Sequence, residues 1–108
     1  MKPADSKMKV EYGTDVTSVS FNDIQILDEH QIHRIQDELI AVVDKSAGKK
    51  LILNFADVQF MSSAFLGLLV RVHKRLCEAK GQLQLINLSA NIQKIFEITR
   101  LTDIFDIS

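Results

Sequence analysis

Met8, Val10 and Tyr12 alternate with Lys7, Lys9 and Glu11, the period-two signature of a half-buried strand. Gly13 and Asp15 make a turn, and Val16 to Phe21 continues as a second strand with Thr17, Val19 and Phe21 on one face. Asn22-Asp23 breaks it. Ile24 to Leu27 reads either as an extension of that strand region or as an apolar lead-in to a helix. Asp28 stands at an N-cap position, and Ile32, Ile35, Leu39, Val42 and Val43 then recur at helical spacing as far as Gly48. Leu51-Ile52-Leu53-Asn54-Phe55 is apolar almost without alternation, which predicts a strand covered on both faces. A short turn, residues 56–61, leads to Ser62-Ser63. A helix follows from Ala64 to Lys80, stopped by Gly81. One stripe of it is Phe65, Leu68, Leu69, Val72, Leu76 and Ala79; a second is Leu66, Val70, His73 and Cys77. Its first half is apolar nearly all round, so it should touch more than a sheet, and Cys77 reads as a small core residue. Gln82 to Asn87 is a short buried strand. Ser89 or Asn91 caps a third helix in which Ile92, Ile95, Phe96 and Thr99 share a face. Leu101 to Ile107 is apolar enough to pack back as a short helix or strand.

The order β-β-α-β-α-β-α-tail predicts one α/β domain over residues 7–108, preceded by a polar tail at 1–6 that holds the one proline. The expected architecture is a mixed sheet of about four to five strands packed with three to four helices. At 108 residues the chain is long enough for a single self-sufficient core.

Charge narrows the function classes. Thirteen basic residues nearly balance fourteen acidic ones, for a net charge of -1, which favours neither nucleic acid nor an anionic membrane. One cysteine excludes an internal disulfide, no apolar run approaches the ~20 residues that span a bilayer, and the N-terminus lacks an apolar leader region. These features predict a cytoplasmic protein. The four glycines form no phosphate-binding loop. His30, His33 and His73 do not combine with Cys77 into a metal pattern, and His30 and His33 read as solvated helix residues. No GxSxG elbow surrounds either serine, and His73 lies ten residues from Ser63 along one helix, ~15 Å away. The expectation is therefore no enzyme, no metal and no cofactor. Ser62-Ser63 remains as the candidate site, because a helix N-terminus at the end of a strand offers free N–H groups and partial positive charge. Capping alone would also account for serine there.

Val58-Gln59-Phe60-Met61-Ser62-Ser63-Ala64-Phe65-Leu66-Gly67 resembles the signature turn of the STAS domain, the fold of bacterial anti-sigma factor antagonists, where V-x-F-[IM]-D-S-[SA]-G-L-G leads into a helix. Leu51 to Phe55 takes the place of the strand before it. Ala79 to Leu88 and Ile95 to Ile107 are similar to the later segments of the family. Two departures stand out: Ser62 replaces the family aspartate, and Phe65 replaces its glycine with a large apolar group that either marks a different partner or turns inward.

The resemblance implies a partner switch. An unphosphorylated antagonist binds an anti-sigma factor, often a serine kinase. Phosphorylation breaks the complex, and a phosphatase restores it. Carried over by position, the phosphoacceptor is Ser63, with Ser62 as the alternative. The implied contact surface is Asn22, Asp23, Ser62, Ser63, Ala64, Phe65, Leu66, Asn87 and Ser89, on a monomer or weak dimer. A STAS-type interaction module that is not phosphorylated is the rival reading, and the absent aspartate favours it.

Overall fold

The computed structural model describes residues 8–21, 25–101 and 104–107. Among these residues seven strands and three helices follow one another as β1 (Met8–Tyr12), β2 (Val16–Phe21), β3 (Gln25–Ile26), α1 (Glu29–Lys45), β4 (Lys50–Asn54), β5 (Phe60–Met61), α2 (Ser63–Glu78), β6 (Gln82–Ile86), α3 (Ala90–Ile98) and β7 (Asp106–Ile107). The larger sheet has the order β1-β2-β4-β6-β7, with β1 antiparallel to β2 and the other pairs parallel. The mixed α/β architecture expected from the element order is the one observed. The ambiguous segment before α1 contributes β3, which pairs in parallel with β5, inside what reads as a turn.

Register explains the core. Val19, Leu53 and Leu85 lie side by side across β2, β4 and β6, and Thr17, Leu51 and Leu83 form the next row. All six are buried. The opposite rows are Ser18, Ile52 and Gln84, then Ser20, Asn54 and Ile86, and all of these are only half-buried. The expected strand covered on both faces is thus corrected. The core lies against one face of the sheet, and Ile52 is half-buried on the other. The unbroken apolar run conceals an alternation, because Ile52 is apolar without lying in the core.

Helices α1 and α2 pack together over the covered face. Ile32, Ile35, Leu39, Val42 and Val43 of α1 meet the core, as do Phe65, Leu66, Leu68, Leu69, Val72 and Leu76 of α2. Each helix has a serine or aspartate at its N-cap. Asp28 accepts from Gln31 N at 3.2 Å, Ser62 from Phe65 N at 3.3 Å and Ser89 from Ile92 N at 3.3 Å. At the far end, Asp44 of α1 grips the Arg75 guanidinium at 3.1 Å and holds its pKa above the ordinary value. Both side chains are exposed, so this pair adds little stability.

The stop of α2 differs in detail from the one expected. Lys80, at φ 64°, takes the left-handed position, and Gly81 is needed for space: a Cβ there would sit 2.8 Å from Lys49 O and 2.6 Å from the Leu76 side chain. Cys77 is exposed rather than in the core, because its stripe turns away from the sheet over the last turns of α2. Its Sγ lies 3.8 Å from His73 Nε2.

Phe65 is completely buried. Its ring meets Phe21 edge-on at 5.8 Å and Phe55 at 6.4 Å, while Phe21 and Phe55 stack at 5.0 Å. Phe65→Ala should therefore lower stability by ~3–5 kcal/mol, measured by urea unfolding. A loss under ~1 kcal/mol would contradict this packing. Gly81→Ala should also destabilise, whereas Gly67→Ala, with open space around the added Cβ, should not.

Candidate functional site

Strands β2, β4 and β6 run in parallel, so their C-terminal ends share one edge of the sheet, where α/β domains commonly carry their sites. The chain leaves β4 through a tight turn in which Val58 N donates to Phe55 O at 3.0 Å. It then forms β5, with buried Met61 beside buried Ile26. Ser62 N donates to Ile26 O at 3.0 Å. The start of α2 is thereby tied to β3 by a backbone bond and to the ends of β2 and β4 by the Phe65 ring.

That anchoring separates the two serines. Successive residues turn by about 100° around a helix, so positions 63 and 65 face nearly opposite ways. Phe65 points into the core, and Ser63 is exposed. Ser62 is half-buried, and its hydroxyl is engaged as the cap. Its carbonyl accepts from Phe65 N at 3.1 Å and Leu66 N at 3.3 Å. The first turn of α2 has no acidic residue, so no carboxylate of that turn offsets the partial positive charge of the helix end.

The other expected contact residues divide. Ala64 is exposed beside Ser63. Phe65 and Leu66, expected on the contact surface, lie in the core at 0% and 7% exposure and are unavailable to a docked partner. The physical reason is the aromatic cluster, which draws in the large group that stands where the family pattern has glycine. Asn87 is exposed, with φ 59°, and Ser89 is half-buried as the α3 cap. Asn22 and Asp23 lie outside the described residues.

Three residues of this edge escaped the sequence reading. Asn54 Oδ1 accepts from Ala56 N at 2.9 Å and from Asn87 Nδ2 at 3.1 Å, joining the loops after β4 and β6. Leu27 and Phe60 are 49% and 47% exposed. Phe60 falls on the outward face of the β3–β5 ribbon, opposite Met61, and Leu27 follows directly after buried Ile26 at its end. An outward aromatic beside Ser62 was the available signal. A groove of about 340 Å³ between α1 and α2 adjoins the same end, lined by Glu29, Ile32, His33, Ala64, Gly67 and Arg71 among others.

Among the described residues, no group of three or more His, Cys, Asp or Glu side chains could hold a metal ion, and no helix is long and apolar enough to cross a membrane.

Comparison with known proteins gives this geometry a family. The STAS domain model matches residues 15–108. An anti-sigma-B factor antagonist of Bacillus subtilis (strain 168) is 34% identical over 92 residues, covering 81% of this chain and 83% of that protein. An anti-sigma-factor antagonist (STAS) domain protein from Planctomyces limnophilus has the same fold, with a TM-score of 0.82 at 22% identity over 94% of this chain and 89% of that one. The Bacillus cell fate determinant SpoIIAA, solved in its phosphorylated form, superposes with a TM-score of 0.71 at 20% identity over 94% of this chain and 90% of that one. The match begins at the turn before β2, takes in the strand–turn–helix that exposes Ser63, and makes this protein a member of the STAS domain family.

Proposed function

We propose that this protein is an anti-sigma factor antagonist, and that it binds its anti-sigma factor through the surface around the N-terminus of α2. Ser63, Ala64, Leu27 and Phe60 form the centre of the contact, with Ser62, Asn87 and Ser89 at its margin. The anti-sigma factor is itself a serine kinase that phosphorylates Ser63 and thereby ends the complex, and a phosphatase reverses the step. The observation that carries this reading is the exposure of the Ser63 side chain on a turn whose capping role Ser62 already fills.

The physical chemistry of the switch is local. A phosphate adds about -1.5 to -2 charges and three strong acceptor oxygens. At a helix N-terminus the dipole tolerates that charge, so the fold is kept. A partner surface shaped for a neutral hydroxyl and for the apolar side chains of Leu27 and Phe60 must instead desolvate the anion without compensation. A loss of ~3–4 kcal/mol weakens binding a few hundred-fold, and no large motion is required.

The aspartate that precedes the serine in the family pattern is Ser62 here, and this favours a second reading: an interaction module that docks without being phosphorylated. Phosphopeptide mass spectrometry on protein from its native host separates the two. Phosphate on Ser63 supports the switch, and a site that stays unmodified in all conditions supports the module.

Ser63→Asp should weaken binding to the anti-sigma factor, measured by calorimetry, while changing stability by less than ~1 kcal/mol. Equal affinity for Ser63→Asp and wild type would sink the switch. Ser62→Ala should behave in the converse way. It removes the cap at a cost of ~1 kcal/mol in urea unfolding yet leaves Ser63 available to the kinase. Loss of phosphorylation in Ser62→Ala with Ser63 intact would assign the modification to Ser62.

A further inference from the structure

Strand β1 is the outermost strand of the large sheet, bonded to β2 on one side. The hairpin bond from Gly13 N to Val16 O, 2.9 Å, fixes the phase of that pairing. Alternation along an antiparallel ladder then turns the backbone groups of Lys9 and Glu11 toward β2 and those of Val10 and Tyr12 off the edge. Edge strands are commonly blunted by charged residues, lysine above all. Here the two outward charges, Lys9 and Glu11, are of opposite sign and flank Val10 symmetrically. Both are exposed, and neither makes an ion pair among the described residues. Tyr12 is 54% exposed, and the Lys45 ammonium lies 5.5 Å above its ring.

We infer that β1 pairs with β1 of a second copy of this chain, antiparallel about a two-fold axis at Val10. In that register Val10 bonds Val10 of the second copy in both directions. Lys9 stands opposite Glu11, and Glu11 opposite Lys9, at the closely spaced non-hydrogen-bonded positions where side chains interact most strongly. Sliding by two residues sets Lys9 against Lys9 or Glu11 against Glu11. Sliding by one breaks the hydrogen-bond phase and turns the side chains to the wrong face. The charge pattern thus selects one register, and the interface is self-complementary as two-fold symmetry requires. Both five-stranded sheets become one continuous sheet. Because β2 separates β1 from β4, the edge lies away from Ser63, which stays open in both copies. This inference does not depend on the phosphorylation reading.

Charge reversal tests it. The full chain is examined by sedimentation equilibrium up to about 1 mM, the range of weak association, with circular dichroism as the folding control. Wild type should dimerise. Lys9→Glu and Glu11→Lys should each weaken self-association roughly tenfold or more, since attraction becomes repulsion at two symmetry-related pairs. An equimolar mixture of the two variants should dimerise again, because each supplies the charges that the other lacks. The double variant Lys9→Glu/Glu11→Lys, which restores both pairs within one chain, should match wild type and covers the case in which a single variant folds poorly. A monomeric wild type at about 1 mM, single variants that associate as wild type does, or a mixture no tighter than its components would each overturn the proposal.

Discussion

The contact of Phe65 with Phe21 and Phe55 is the constraint on which the rest of this structure depends. It ties the first turn of α2 to the ends of β2 and β4, the two strands that end at the site. Helical geometry then leaves little choice at neighbouring positions. With residue 65 inward, residue 63 faces out, residue 62 sits at the half-buried cap and residue 66 follows the core. One buried ring therefore decides which of two adjacent hydroxyls meets solvent. The backbone bond from Ser62 to Ile26 adds a second tether, and the β3–β5 ribbon brings Leu27 and Phe60 to the surface beside it.

This arrangement divides labour between the serines. A single residue that both capped the helix and accepted a phosphate would exchange its hydroxyl cap for one made by phosphate oxygens. Here Ser62 satisfies Phe65 N, and Ser63 has no such duty. The helix end carries partial positive charge without an acidic residue in the first turn. The fold thus keeps its stability terms apart from the hydroxyl proposed to change state. The apolar Leu27 and Phe60 suit a contact that is dry when made, and it is dryness that makes an added charge costly.

Much of the fold was legible because burial follows simple periods here. Alternation gave β1 and β2, helical stripes gave α1 and α2, and Asp28 and Ser89 marked the starts of α1 and α3. The differences between pattern and structure share a cause: apolar character does not fix direction. The run Leu51 to Phe55 is nearly all apolar, yet Ile52 faces the open side. The start of α2 is apolar all round, so although Phe65 heads the stripe of Leu68, Leu69, Val72 and Leu76, nothing in the pattern shows that Leu66 turns inward as well. Cys77 continues an apolar stripe past the point where the sheet lies beneath it. Strands β3 and β5 are two residues each, too short for any period to register. Of the site, the strand–turn–helix and its serines could be read from the chain. Leu27 and the Asn54–Asn87 bond could not, since both depend on pairings between distant segments.

A charge added at position 63 is proposed to change what can dock while the phenylalanine-anchored scaffold stays as it is. This is tested most directly by comparing amide and aromatic chemical shifts of the protein with serine and with phosphoserine at position 63. The expected changes are confined to the first turn of α2 and its flanking loops, with the ring signals of Phe21, Phe55 and Phe65 unmoved. Shifts spread through the three rings and the strands beneath them would contradict it.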